Sequence, residues 1–360
     1  MLATETQTTV ERYAVKAEQY TLFRQQGFLV VRNLVSPEEI AELKQHTEDL
    51  MQGLLPEQQL ESAKAFGLSA PPPHLPPHEK AQHYLRIHML HRVLGLHERY
   101  LLHPRVLDVL ECLIGPDVLA LQTMLFLKPP GKPGQGWHQD TFYIPTHPDT
   151  LCGAWIAIDD CDELNGAMWM AAGSGAEPIY PSADGHFHGN KNLSEILHVN
   201  GVSDVDDSKN DLAKIADRYP QLLVPAKAGD VVFFNGHVLH RSKQNYSTDR
   251  FRRSFVSHYC NARSFTQWGS DERPARPGEY PPVDPVNGGT NGSHILARGD
   301  THLPFAQPKF GTPCAAQLTK EERTKQSHYA ASMMANMASG SMDARPADPT
   351  IQHDHREGKD

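Results

Sequence analysis

Asp230-Val231-Val232-Phe233-Phe234, Val238-Leu239-His240-Arg241-Ser242 and Phe251-Arg252-Arg253-Ser254-Phe255-Val256 follow one another in a short reach of the chain. Each run is rich in β-branched and aromatic residues and is bounded by Gly, Asn, Ser or Asp, the pattern of strands joined by tight turns. The strand candidates here are 230–234, 238–242 and 251–260; upstream, the same pattern covers 118–128, 137–143, 152–159, 167–171 and 221–225. Asn165-Gly166 reads as a hairpin turn. A series of short strands after a helical beginning predicts a mainly β fold with flanking helices. Its core would be a double-stranded β-helix, the jelly-roll or cupin-like architecture, with N-terminal helices packed outside.

The opening of the chain carries the helical signals. Gln26-Gly27-Phe28-Leu29-Val30-Val31 reads as a strand after an amphipathic segment from Tyr20. Ser36-Pro37-Glu38-Glu39 then supplies an N-cap, a proline at the first helical position and a capping-box Glu, ahead of apolar Ile40, Leu43 and Leu50. Residues 56–80 are proline-rich, with Pro71-Pro72-Pro73 and Pro76-Pro77, and read as a surface excursion. Helical periodicity resumes near Gln82 and again from Pro104 to Leu113, where Val106, Leu107, Val109 and Leu110 form a stripe. A polar insertion at 176–221, with a short helix at 211–219, interrupts the strands and is expected to be a lid beside the substrate. The domain plan is therefore a catalytic unit over 1–270, an irregular extension over 271–338 with one helix at 319–337, and a disordered tail over 339–360.

Composition narrows the ligand. The 360 residues are 39% hydrophobic and carry a net charge of −9 with acidic and basic residues intermixed. That balance disfavours nucleic-acid and membrane partners and leaves a small molecule; the oligomeric state is not written in the pattern. Met1-Leu2-Ala3-Thr4-Glu5-Thr6-Gln7 is no charged-then-apolar leader and no apolar run is long enough for a bilayer, so a cytoplasmic location is expected. The five cysteines lack a CxxC pair and read as buried apolar groups in a reducing compartment. The Asn-x-Ser triplets at Asn192, Asn245 and Asn291 then carry no glycan, and Arg298-Gly299-Asp300 is read as a turn.

The chemistry begins at Gly136-Trp137-His138-Gln139-Asp140-Thr141-Phe142-Tyr143. On a strand, alternation turns His138 and Asp140 to the same side. With His240 they form the two-histidine, one-carboxylate set that binds non-haem Fe(II) and leaves coordination positions open for O2 and a substrate. His237, in Asn235-Gly236-His237, competes for the third place. His74, His78, His83, His88, His91, His97 and His103 offer no clean ligand pair and read as solvated helix surface. Downstream, alternation sets Arg252, Ser254 and Val256 on one face and Phe251, Arg253 and Phe255 on the other. A buried arginine needs an anion, and the far carboxylate of a 2-oxoglutarate co-substrate supplies one. Arg252, sharing its face with Ser254, is preferred over Arg250 and Arg253 for that role.

From about Tyr20 to Ala262 the chain resembles the phytanoyl-CoA dioxygenase family of Fe(II)/2-oxoglutarate oxygenases. The resemblance is carried by Gln26–Val31 with Ser36–Glu39, by Glu111-Cys112-Leu113-Ile114-Gly115-Pro116, and by Thr123-Met124-Leu125 through Lys128-Pro129-Pro130. It continues in the HxD motif, Ala154-Trp155-Ile156-Ala157, Asn165-Gly166, His240-x-Ser242-x-x-Asn245 and Phe251-Arg252. It implies His138, Asp140 and His240 as iron ligands, Arg252 on the 2-oxoglutarate far carboxylate with Ser242 beside it, and Met124 and Trp155 lining the co-substrate site. Arg86, in Leu85-Arg86-Ile87-His88, falls near another basic contact of the family. The Ser242 and Asn245 pattern favours His240 over His237. The chain departs from the family at Ala172-Gly173-Ser174-Gly175, where a Pro-Gly-Ser/Thr-His turn is usual, and by one extra residue between His240 and Arg252. The activity implied is hydroxylation of an unactivated C–H bond with release of succinate and CO2, and the carboxylate of Asp140 favours it over halogenation. The alternatives are desaturation, epimerisation or cyclisation by the same oxidant, and a cupin-like metal-binding protein independent of 2-oxoglutarate.

Overall fold

The computed structural model describes residues 12–65, 68–183, 196–264, 266, 294–299 and 310. At the start, helix α1 (Ala17–Gln26) stops at Gly27, and strand β1 (Phe28–Val31) follows. Helix α2 (Pro37–Gln52) begins as the capping box predicts: Ser36 Oγ accepts from the Glu39 amide, and the Glu39 carboxylate accepts from the Ser36 amide at 2.7 Å. The 56–80 excursion contains two helices that the prolines hide, α3 (Glu57–Ala65) and the single turn α4 (Pro77–Lys80). Pro77 stands at the first helical position, where a missing N–H costs nothing. Near Gln82 the expected helix is replaced by an edge strand, β2 (Arg86–His88), before α5 (Gly95–Leu101) and α6 (Pro104–Ile114).

The remaining strands form two sheets. They are β3 (Val118–Lys128), β4 (Gln135–His138), β5 (Cys152–Ala157), β6 (Met168–Ala171), β7 (Gln221–Val224), β8 (Val231–Asn235), β9 (His240–Ser242), β10 (Arg252–Asn261) and β11 (Ile295–Arg298); helix α7 (Asp211–Ala216) precedes β7. The large sheet runs β1-β8-β5-β10-β3-β11, with β2 also on β3, and the small sheet runs β4-β9-β6-β7. Because β5 and β6 lie in different sheets, Asn165-Gly166 is a crossing turn and not a hairpin. Asn165 Nδ2 donates to the Asp160 and Phe251 carbonyls, and Gly166 takes a φ of 83°, which other residues rarely adopt.

Alternation sorts the large sheet's side chains between two cores. Leu125, Ile156, Phe233 and Phe255 pack against the helices, with Leu43, Leu50, Leu101 and Leu107. Trp155, Val232, Phe234 and Val256 face the small sheet, with Met168 and Met170. Both faces are buried, so these strands read as nearly continuous apolar runs. The described part of the 176–221 insertion covers the outer face of the small sheet, where Leu212 and Ile215 join Trp137 and Leu239. A Cβ on Gly136 would sit 1.7 Å from the Asp204 carbonyl, so only glycine lets this insertion lie against β4.

One strand falls where the sequence reads irregular chain. β11 pairs with β3, and its last residue, Arg298, is buried and donates to Asp108 and Glu111 of α6 at 2.7 and 2.6 Å. Arg298 thus ends a strand, and the bend follows at Gly299. Cys152, Cys161 and Cys260 are buried free thiols, as expected, whereas Cys112 is exposed on α6. The triplets at Asn192 and Asn291, the helix expected at 319–337, Cys314 and the tail lie outside the described residues. Among the described residues no helix is long and apolar enough to cross a membrane.

Candidate metal centre

β4 and β9 place the first two donors. His138 ends β4 and pairs in register with His240, which opens β9, so both rings turn into the space between the sheets. Their outward neighbours, Trp137 and Leu239, are buried under the insertion. The strand expected over 137–143 ends at His138, where a 3-10 turn takes over from Asp140 to Phe142. Gln139 keeps an extended backbone between them, which is why His138 and Asp140 still share a side. The Gln139 side chain holds that link by donating to the Pro178 and His237 carbonyls at 3.1 and 2.9 Å.

The donor atoms converge. One ligand atom from each of His138, Asp140 and His240 lies within 4.8 Å of the others. Nε2 of His138 and of His240 are 3.6 and 3.7 Å from Asp140 Oδ1. Each imidazole uses Nδ1–H on a backbone carbonyl, Gly136 at 2.8 Å and Val238 at 3.0 Å, so each Nε2 presents its lone pair to the shared point. Burial, and then the neighbouring His240, push His138 down to about 3, which keeps it neutral and ready to ligate at physiological pH. Burial alone would raise Asp140, but the surrounding imidazoles and a hydrogen bond from His258 outweigh it and hold the carboxylate ionised.

That hydrogen bond comes from a residue the sequence reading passes over. Gln122 Nε2 donates to His258 Nδ1 at 2.9 Å, which leaves the proton on Nε2, and Nε2 donates to Asp140 Oδ2 at 2.7 Å. Oδ2 is therefore occupied and Oδ1 is left for a metal. His258 is six residues beyond Arg252 on β10, so the alternation used for Ser254 and Val256 reaches it too. His258→Asn is expected to weaken metal binding about 10- to 100-fold, the usual cost of losing such a supporting contact. Titration with Co(II), followed by its visible absorption, measures this, and an unchanged affinity would deny His258 the orienting role.

The centre opens into a cavity of about 900 Å³. Arg252, Ser242, Met124, Trp155 and Arg86 all line it. Three neighbouring arginines are sorted by their partners. Arg250 is paired with Asp162, and Arg253 faces the helices, with Asp159 at 2.7 Å and Glu48 at 3.1 Å. Arg252 instead lies inside the cavity and is 3% exposed; its side-chain hydrogen bond goes to Ser254 Oγ at 3.3 Å, and its Nε has no partner among the described residues. Its guanidinium lies 5.8 Å from the Trp155 ring centre, and burial lowers it to about 10. Across the ladder from Arg252 stands Lys128, buried and donating to Ser242 Oγ at 2.9 Å and the Lys243 carbonyl at 2.7 Å; burial, and next the charge of Arg252, lower it to about 5. Arg252 is the group of the two that stays charged at physiological pH, and a cation this deep with no carboxylate paired to it among the described residues is the complement of an anionic ligand.

The other candidates separate cleanly. His237 hydrogen-bonds the Glu177 carbonyl and the Asp149 carboxylate, away from this cavity. Contrary to the expected solvated surface, His91, His97 and His103 are buried, with His97 3.1 Å from His46. No further cluster of metal-ligating side chains occurs among the described residues. At the departure from the family turn, Ser174 Oγ donates to the Ala171 carbonyl and accepts from the Leu239 amide, bracing the residue before His240.

Two facing sheets with two imidazoles and a carboxylate converging between them define a jelly-roll metalloenzyme of the non-haem oxygenase class. The family profile described as phytanoyl-CoA dioxygenase (PhyH) matches residues 23–254. The chain belongs to the phytanoyl-CoA dioxygenase family of Fe(II)/2-oxoglutarate oxygenases, and it is an enzyme of that kind. It is 27% identical over 266 residues to the bovine peroxisomal phytanoyl-CoA dioxygenase, covering 71% of this chain and 72% of that protein. Among solved structures, EctD from S. alaskensis in its apoform aligns with a TM-score of 0.52 and 21% identity, over 72% of this chain and 82% of that one. The epimerase SnoN, solved with Fe3+, alpha ketoglutarate and nogalamycin RO, aligns with a TM-score of 0.51 and 19% identity, over 76% and 93%. These two structural likenesses speak to the fold.

Proposed function

We propose that this protein hydroxylates an unactivated C–H bond of a small molecule, using Fe(II), 2-oxoglutarate and O2 and releasing succinate and CO2. The observation that carries this reading is the pairing, in one cavity, of the His138, Asp140 and His240 donor set with Arg252, a buried cation with no ion-paired carboxylate among the described residues. The donor set fits iron: two neutral imidazoles and one carboxylate oxygen point to a common place, and no fourth ligand joins them among the described residues. When bound, iron with 2-oxoglutarate and O2 supplies the oxidising power, one oxygen atom going to succinate and the other to the substrate.

The chain's own residues do the positioning. Arg252 receives the far carboxylate of 2-oxoglutarate in a forked, charge-assisted hydrogen bond, and Ser242 stands beside it, held by Lys128. Met124 and Trp155 flank Val256 in the same row of the large sheet and form the wall along which the co-substrate lies. Asp140 occupies the coordination place that a halide would need, which favours hydroxylation over halogenation. The 176–221 insertion serves as a lid: Ser203 lines the cavity and hydrogen-bonds Tyr143 at 2.8 Å and Gln135 at 3.2 Å.

Ni(II) together with 2-oxoglutarate is expected to raise the melting temperature more than either alone, since a ligand held only by the folded state stabilises it. Absence of a shift with 2-oxoglutarate would sink the co-substrate assignment. A substrate screen read by succinate release, followed by product mass, decides the outcome of the reaction. A product heavier by one oxygen atom supports hydroxylation; loss of hydrogen or an unchanged mass points to desaturation or epimerisation.

A further inference from the structure

Lys128 is the last residue of β3, and its register partner on β10 is Arg252, so two basic side chains stand side by side on a face that lines the cavity. Lys128 is 7% exposed. Arg252 reaches it from β10, Ser242 from β9, and the Cys161 thiol, itself pushed up to about 11 by burial, from the chain beyond β5. The Asn165-Gly166 turn closes over the amine: a Cβ on Gly166 would sit 3.1 Å from Nζ. Lys243 turns its own ammonium to the Trp169 ring at 4.4 Å and to Glu163 at 4.0 Å. Among the described residues the titratable groups bearing on Lys128 are thus Arg252 and Cys161, and no carboxylate is with them. A buried amine beside a permanent guanidinium and far from any anion gives up its proton; burial first, and Arg252 next, bring Lys128 down to about 5.

The hydrogen bonds match a neutral amine. Such a group has two N–H donors, and Lys128 has two acceptors, Ser242 Oγ at 2.9 Å and the Lys243 carbonyl at 2.7 Å. Ser242 Oγ accepts a second bond from the Gln135 amide at 3.3 Å. A hydroxyl has two lone pairs and one proton, so both lone pairs of Ser242 are taken and its O–H is left to donate. No acceptor meets that proton among the described residues, and Ser242 lines the same cavity as Arg252.

We propose that Lys128 is a positioning residue for the co-substrate: its amine fixes Ser242 as a donor, and it takes up a proton from solvent as the far carboxylate of 2-oxoglutarate settles on Arg252. This deepens the oxygenase reading and rests on it. The arriving anion offsets the Arg252 charge and favours the ammonium, whose third N–H then serves the carboxylate. The sign of the pH dependence follows. Protonation favours binding, so 2-oxoglutarate affinity rises as pH falls through the raised value of the complex, and it levels off below about 5.

The test titrates 2-oxoglutarate calorimetrically into the full chain loaded with Ni(II), in PIPES, HEPES and TES, whose ionisation enthalpies differ. The dependence of the heat on the buffer counts protons. The wild type is expected to take up about half a proton or more per 2-oxoglutarate at pH 7, and to lose about tenfold in affinity from pH 6 to pH 8. Lys128→Met is expected to take up none, to bind about tenfold more weakly than wild type at pH 6, and to keep a flat affinity over that range. Lys128→Gln retains an N–H for Ser242 and cannot titrate; it too should lose the uptake, yet bind more tightly than Lys128→Met. Because the uptake is counted in the wild type, a variant that failed to fold would leave the proposal open to refutation by that count and by the other variant. Wild-type binding without proton uptake, uptake that survives in both variants, or equal affinity of wild type and Lys128→Met at pH 6 overturns the proposal and leaves the oxygenase reading intact. A wild-type Ni(II) protein that binds no 2-oxoglutarate is a different result, and it removes both together.

Discussion

Asp140→Ala is expected to abolish succinate formation, by at least about a thousandfold, while the protein stays folded; a loss of that size corresponds to about 4 kcal/mol of barrier. The substitution removes the one anionic donor and leaves His138 and His240 as neutral ligands, too few to hold a divalent cation in a defined geometry. It also strips His258 of the oxygen to which it donates at 2.7 Å. Two readouts separate chemistry from folding. Circular dichroism and the melting temperature without metal should remain near wild type, whereas Co(II) titration should lose its saturable absorption change. An Asp140→Ala protein that turns over normally would refute the metal assignment.

Changing Arg252 and Arg253 in turn gives the second large effect, and the two neighbours should respond in opposite ways. Arg252 is a buried charge with no carboxylate paired to it among the described residues, so in the ligand-free protein it costs stability. Arg252→Met is therefore expected to melt at or above the wild-type temperature, yet to lose about a hundredfold in 2-oxoglutarate affinity, the worth of a charged forked hydrogen bond of about 3 kcal/mol. Arg253 is the reverse case: it faces the helices in a two-pronged pair with Asp159 and reaches Glu48. Arg253→Met leaves those acids uncompensated and should cost about 3–5 kcal/mol of stability with 2-oxoglutarate affinity retained. Chemical denaturation and 2-oxoglutarate titration of both variants read the pattern. If Arg252→Met instead destabilised the protein and kept its affinity, the alternation argument for β10 would be wrong.

That alternation is the reason so much of this site is legible in one dimension. A period of two places Arg252, Ser254 and Val256 together, and the same parity brings in His258, which goes unnoticed only when the count stops at Val256. Glycine, proline and capping residues likewise mark local events, as at Ser36–Glu39. Lys128 is harder to see. Its place opposite Arg252 follows from the β3–β10 register, and nothing near Lys128 in sequence announces it. The prolines of 56–80 hide α3 and α4 because proline forbids a helix interior but not a helix start.

By itself, the sequence determined the strand-rich core, the His138-x-Asp140 and His240 donors as candidates, and the inward face of β10, because periodicity and short spacings depend on neighbours in the chain. Only the tertiary structure decided which strands pair, that Asn165-Gly166 crosses between sheets, that β2 and β11 join β3, and that His258 and Lys128 stand beside the donors and Arg252. Those outcomes are set by contacts between residues separated by tens to hundreds of positions, such as Gln122 with His258 and Asp108 with Arg298. They depend on which surfaces bury one another, and no local period encodes that choice.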